Sequence, residues 1–199
     1  MVSAHLYIEG AESKEDQIRC REGFRRLLEK AGFKGRMPRL SACGGRNSAF
    51  DDFQTAHRGA KPGHFVAMLI DSEEPVADRE QTWDHLATRD GWEKPDGASD
   101  EQVLFMTTCM ETWIVADRAT LTAHYGHRLQ ENALPPPNDL EARGRADVHA
   151  NLVHATRGCS NAYQKGRRSF AVVGELNPVT LEELLPSFAR AKRILNSKL

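Results

Sequence analysis

Residues 64–70, His-Phe-Val-Ala-Met-Leu-Ile, constrain the fold more than any other segment. A continuous apolar run of this length fits a strand buried on both faces, which is the setting of a parallel sheet. It stops abruptly at Asp71-Ser72-Glu73-Glu74-Pro75. In parallel α/β sheets the working groups gather at the carboxyl ends of the strands, so this stop is the first place to look for chemistry.

The flanking sequence repeats the pattern. Residues 4–8 read as a short buried strand ending at Glu9-Gly10. Ser13 caps a helix over 14–31, with Ile18, Phe24, Leu27, Leu28 and Ala31 on its inner face and Gly32 as its stop. A strand near Pro38–Cys43 ends in Gly44-Gly45-Arg46, and Asn47 or Ser48 opens a short helix carrying Phe50 and Phe53. After the central strand come a helix with Trp83 and Leu86, a loop over 90–100 and a fourth strand over 102–109. That strand runs into Met110-Glu111-Thr112-Trp113 and a helix with Ile114, Leu121 and Tyr125. Beyond the stiff Leu134–Pro137 connector lie a helix over 139–156, the segment Ala162–Arg168, and a last helix opened by Asn177-Pro178 and kinked at Pro186. Strands alternating with helices predict an α/β fold: a mostly parallel sheet flanked by helices. At 199 residues the chain suits one domain, with a core over about 4–125 and a helical, basic extension over about 138–199.

Composition removes several classes. Hydrophobic residues make up 40% of the chain, which argues against wholesale disorder. No run approaches the ~18 apolar residues of a membrane span. Glu9 interrupts any secretory signal, so a cytoplasmic location is expected. Cys20, Cys43, Cys109 and Cys159 form no CxxC pair, and neither a zinc knuckle nor a redox pair is expected. No HExxH accompanies His124 and His127, whose roles read as surface or packing. Net charge is −1, but residues 1–140 balance at −6 and residues 141–199 at +5. The basic third could face phosphates, or could be a solvated helical surface.

Asp71 and Glu73 stand two apart, so in extended chain both carboxylates face one way. Magnesium takes oxygen ligands, usually one or two carboxylates with water and substrate phosphate. Glu9, ending a neighbouring strand, could join them as a ligand or move a proton. Any one such acid reads more simply as an ordinary loop former or helix cap, and the case for a site rests on acids gathered at three strand ends. Glu111 could serve a second metal or simply meet a helix dipole. Gly44-Gly45-Arg46 could present amides and a guanidinium to a phosphate, as could Lys165, Arg167 and Arg168, or these could be a tight turn and an exposed basic loop. Neither GxxxxGK[ST] nor GxGxxG occurs.

The segments LYIEGAE (6–12) and MLIDSEEP (68–75) resemble the toprim domain of topoisomerases, primases and overcoming-lysogenization-defect-type nucleases. The order of LYIEGAE, ACGGRNSAFDDF, LIDSEEPV, WDHL, METWIVAD and AYQKG is similar, over about residues 5–190, to the toprim-like family catalogued as domain of unknown function 4276. The resemblance implies a Rossmann-like toprim core, Mg²⁺ or Mn²⁺, and action on phosphodiester bonds in DNA or structured RNA. It carries over Glu9, Asp71 and Glu73 as the metal triad, although toprim enzymes more often show D-x-D where this chain has D-x-E. Glu111 and Lys165 match the smaller family's own pattern as catalytic candidates. The kinship further implies an ABC- or AAA-type ATPase partner and anti-phage defence; a homo-oligomer is also conceivable. Two other functions remain open: a non-catalytic subunit regulating an ATPase, and a small-molecule phosphotransferase.

Overall fold

The computed structural model describes residues 3–10 and 12–199. Four strands among them carry the fold: β1 (Ser3–Ile8), β2 (Arg39–Ala42), β3 (His64–Asp71) and β4 (Val103–Met106). They form one all-parallel sheet in the order β2-β1-β3-β4. Ile8 pairs with Ala42 on one side and Leu69 on the other, and Asp71 pairs with Met106. Glu9, Gly44, Ser72 and Thr107 therefore leave the sheet along a single edge.

The apolar run behaves as its composition demands. Val66, Met68 and Ile70 of β3 enter one core, and Ala67 and Leu69 enter the other. The first core is closed by Phe50 and Phe53 of α2 (Arg46–Arg58) and by Trp83 and Leu86 of α3 (Thr82–Asp90). On the opposite face α1 (Lys14–Leu28) supplies Cys20, Phe24 and Leu27. It is joined there by α4 (Met110–Ala116), α5 (Arg118–Tyr125), α6 (Arg145–Thr156), α7 (Arg167–Glu175), α8 (Pro178–Leu184) and α9 (Pro186–Lys198). A side chain such as Phe53, wholly buried, contributes about 2–3 kcal/mol by leaving water.

Ser13 caps α1 as expected, its side chain accepting the Asp16 amide. Gly32, at φ 101°, ends the π-helical turn Glu29–Phe33 that follows. Asn177 caps α8, and Pro186 divides α8 from α9. Other expectations need correction. Ile18 is 49% exposed, because the buried stripe runs Cys20, Phe24, Leu27, Ala31 and Ile18 lies some 200° round the helix from Cys20. The helix after Glu111 is two helices, α4 and α5. They break at Asp117, whose carboxylate caps α5 through the Thr120 amide and also accepts the Asn177 amide at 2.7 Å. Residues 139–156 form a 3₁₀ turn (Leu140–Ala142) and then α6, separated by Arg143 and Gly144 in extended conformation. Sequence reading placed no helix at α7. This helix packs on α1 so closely that a Cβ on Gly23 would sit 2.3 Å from the Phe170 carbonyl oxygen.

Several basic residues of the last third pair with acids elsewhere in the chain. Arg190, 6% exposed, donates to the carbonyls of Val103 and Asp100 and pairs with Glu80. Arg193 also reaches Glu80, and Lys198 reaches Glu101. The four cysteines are unpaired and buried. No helix among the described residues is long and apolar enough to cross a membrane.

Candidate metal centre

Three loops leaving the sheet edge are tied to one another by their backbones. The Glu9 amide donates to Leu69, the Gly10 amide to Gly44, and the Cys43 amide to Ile8. Beyond β3 the amides of Ser72 and Glu73 donate to the carbonyls of Met106 and Thr108. Carboxylates on this edge are thus held by ladder-like hydrogen bonds and not by free loops.

Glu9, Asp71 and Glu73 each offer a carboxylate oxygen, and the three oxygens lie within 4.8 Å of one another. Sequence reading brought Asp71 and Glu73 together through strand pleating. The structure does it differently: β3 ends at Asp71, and Glu73 turns back at φ 69°. A non-glycine residue rarely adopts that conformation, which costs about 1–2 kcal/mol. Here it aims the Glu73 side chain at the strand ends.

Asp71 is buried, and its Oδ1 accepts the Met110 amide at 2.8 Å, at the start of α4. Burial raises its carboxyl well above the ordinary range, and the charges of Glu9 and Glu111 add to that; Lys165 and Arg145 oppose it. Burial also raises Glu9, with Arg46 and the Asp71 amide acting against it. Glu9 Oε2 accepts that amide at 3.1 Å. An all-oxygen donor set of this kind suits a hard divalent cation. Ligands of one Mg²⁺ lie about 3 Å apart when adjacent and about 4.2 Å when opposite, so the three carboxylates would draw together to hold one ion.

Glu111 is as buried as Asp71 but is set differently. Burial would raise its carboxyl, yet the Tyr163 hydroxyl and Lys165 outweigh it and hold Glu111 below the ordinary range. Tyr163, itself buried, donates to Glu111 Oε1 at 2.5 Å. Glu111 lies outside the close triad, while its charge still bears on Asp71. Lys165 is exposed, and its charge acts on both Asp71 and Glu111.

Arginines border the acids. Arg46, the first residue of α2, points back into the edge: Nη1 lies 3.8 Å from Glu9 Oε2 and donates to the Asp71 carbonyl. Asp90 grips its Nε and Nη2 at 3.1 and 2.7 Å, and its guanidinium lies 5.0 Å from the Trp92 ring centre. Gly45 caps α2, so the Gly-Gly-Arg turn serves a helix start as well as the site. Arg145 donates to Glu73 Oε2, and Arg89 stands 3.7 Å from the same oxygen. Arg168, in the first turn of α7, is exposed and donates to the Ala162 carbonyl at 2.9 Å, in the segment before the helix. The side chain of Arg167 lies outside the described residues.

The structure therefore brings together Glu9, Asp71, Glu73 and Arg46, with Glu111 and Lys165 in electrostatic reach. Sequence reading missed Arg145, Arg89, Asp90 and the Tyr163 hydroxyl. Only Tyr163 carried a signal, through its place in AYQKG; Arg145 meets Glu73 across 72 residues, which no local pattern encodes.

Neither the curated proteins nor the solved structures gave a match to the chain. A family model described as domain of unknown function (DUF4276) matches residues 11–192, a span holding Asp71, Glu73, Glu111 and Lys165 and beginning just after Glu9. The chain belongs to that family, domain of unknown function 4276.

Proposed function

We propose that this protein is a divalent-metal-dependent nuclease of toprim type, cleaving phosphodiester bonds in DNA or structured RNA. In this reading it is the effector of an ABC- or AAA-type ATPase in anti-phage defence. One observation carries the chemical part: three carboxylates from two adjacent parallel strand ends converge within 4.8 Å beneath a border of basic side chains. The ATPase, the defence role and the nucleic-acid substrate rest on the family resemblance.

Glu9, Asp71 and Glu73 would hold Mg²⁺ or Mn²⁺. When bound, such an ion polarises a phosphoryl oxygen and offsets charge that builds in the transition state. The remaining work falls to the chain's own residues. Arg46 is held from several sides, so it meets a phosphate without reorganising. Lys165, exposed beside the acids, neutralises charge as it develops. Glu111, kept anionic by Tyr163, acts on Lys165 through its charge and suits that role better than proton transfer. Glu9 would serve either as the third ligand or, left off the metal, as the proton carrier.

A second reading has its own observation. Arg46 and Arg145 already lie against Glu9 and Glu73, which suits a charge-compensated subunit that docks on an ATPase without metal. One assay separates the two. Labelled DNA and tRNA are incubated with Mn²⁺ and the purified protein, with its genomic-neighbour ATPase added in parallel. Cleavage that Asp71→Asn abolishes and Lys165→Met cuts about 100-fold supports the nuclease. Intact nucleic acid in every arm, with a stable complex between the two proteins, supports the docking subunit. Hydrolysis of a small phosphate ester alone would instead point to a small-molecule enzyme.

A further inference from the structure

Two of the arginines beside the triad are built in opposite ways. Arg46 has 11% of its side chain exposed and is fixed by Asp90, the Asp71 carbonyl and the Trp92 ring. Arg145 has 36% of its side chain exposed, and the hydrogen bond described for it is the one to Glu73. It is the first residue of α6, following Gly144 in extended conformation. Its long side chain can leave Glu73 without disturbing the helix. Arg89, the other neighbour of Glu73, is also tied to Asp90.

Arg145 and a divalent cation compete for the same charge. Arg145 engages Glu73 Oε2, and its charge also eases the burial of Asp71 and Glu9. A dication seated among these carboxylates would lie within a few ångströms of the guanidinium and repel it. A phosphate arriving at the edge would offer the displaced guanidinium a new partner of matching geometry.

We propose that Arg145 is a counter-ion switch: it occupies Glu73 in the resting protein, and metal plus phosphodiester displace it together, Glu73 passing to the metal and Arg145 to the phosphate. The inference rests on the metal-dependent reading above and adds the way the site is regulated. It makes the binding of cation and substrate mutually dependent, because each favours the arrangement the other needs, by the same factor in both directions. The resting protein then carries little metal and stays inactive until a phosphodiester arrives.

The test is calorimetric titration of Mn²⁺ into the intact chain, without and with a phosphorothioate-linked dithymidine as a hydrolysis-resistant phosphodiester. Wild type is compared with Arg145→Gln, Arg145→Lys and Asp71→Asn. Without the dinucleotide, Arg145→Gln should bind Mn²⁺ at least about tenfold more tightly than wild type, the effect of removing a unit charge a few ångströms away. Arg145→Lys, which keeps the charge, should stay near wild type. The dinucleotide should tighten Mn²⁺ binding in wild type and do so much less in Arg145→Gln. Equal Mn²⁺ affinity in wild type and Arg145→Gln, with binding lost in Asp71→Asn, would overturn the switch and leave the metal site standing. No binding to any of them, or undiminished binding to Asp71→Asn, would overturn the metal site and the switch with it.

Discussion

Replacing Tyr163 by Phe removes a single oxygen from a buried contact, and the structure sets the size of the effect. The hydroxyl donates to Glu111 Oε1 at 2.5 Å, where Tyr163 is 7% exposed and Glu111 1%. The ring should stay in place, because the Tyr163 amide is held separately by Thr156 Oγ1 at 2.9 Å. The cost is then that of a buried carboxylate losing its donor, about 2–3 kcal/mol at pH 7.5. The pH dependence has a definite sign. Glu111 is held below its ordinary value of 4.5 in the folded protein, so its contribution is present above that pH and is lost as pH falls through the folded value. Without the tyrosine donor, burial dominates and the carboxyl rises. The penalty of Tyr163→Phe should therefore be largest near neutrality and shrink by at least about 1 kcal/mol toward pH 4. Urea unfolding of both proteins at the two pH values measures it. A penalty below about 0.5 kcal/mol at pH 7.5, or one that does not change with pH, would refute an anionic Glu111 held by Tyr163.

Three further outcomes follow from other contacts. Gly23→Ala should destabilise the protein by about 1–3 kcal/mol in urea unfolding, because its methyl would meet the Phe170 carbonyl at 2.3 Å and push α7 off α1. Asp71→Asn should raise the melting temperature of the metal-free protein by at least about 2 °C at pH 7.5 while keeping the acceptor for the Met110 amide; Asp71 is raised in the fold, so its ionisation penalty is absent at pH below 3.8 and grows as pH climbs through the folded value, and the gain should vanish in acid. Arg46→Lys keeps the charge but loses the two-pronged grip of Asp90, and should lower cleavage at least about tenfold with little change in Mn²⁺ affinity.

The parts legible in the sequence were those governed by local burial. The 64–70 run had to be a strand covered on both faces, and the acids that end it and its neighbour had to share an edge once the sheet was parallel. Glu9 and Asp71 were therefore findable from position alone. Glu73 was found for an incomplete reason, since its φ of 69° and not strand pleating turns it inward. What stayed hidden depends on distant partners. Asp117 breaks a helix because it caps α5 and bonds Asn177 60 residues away. Helix α7 has a glycine and paired valines, weak helix formers, and owes its place to packing on Gly23 of α1. Ile18 shows the converse: an apolar residue near the right spacing faced solvent because Cys20 set the buried stripe. The +5 balance of the last third does not separate paired from free charge: Arg190, Arg193 and Lys198 meet Glu80, Glu101 and backbone carbonyls, while Lys165 and Arg168 stay exposed.

The central claim is that Glu9, Asp71 and Glu73 form one cation site. Crystals soaked in Mn²⁺ and measured for anomalous scattering test it most directly. The account predicts one strong peak among the three carboxylates, with ligand oxygens about 2.1–2.2 Å away and Arg145 turned off Glu73 when a phosphodiester is present. A protein that takes up Mn²⁺ only elsewhere, or shows no peak among these carboxylates at millimolar Mn²⁺ with the phosphodiester bound, would contradict it.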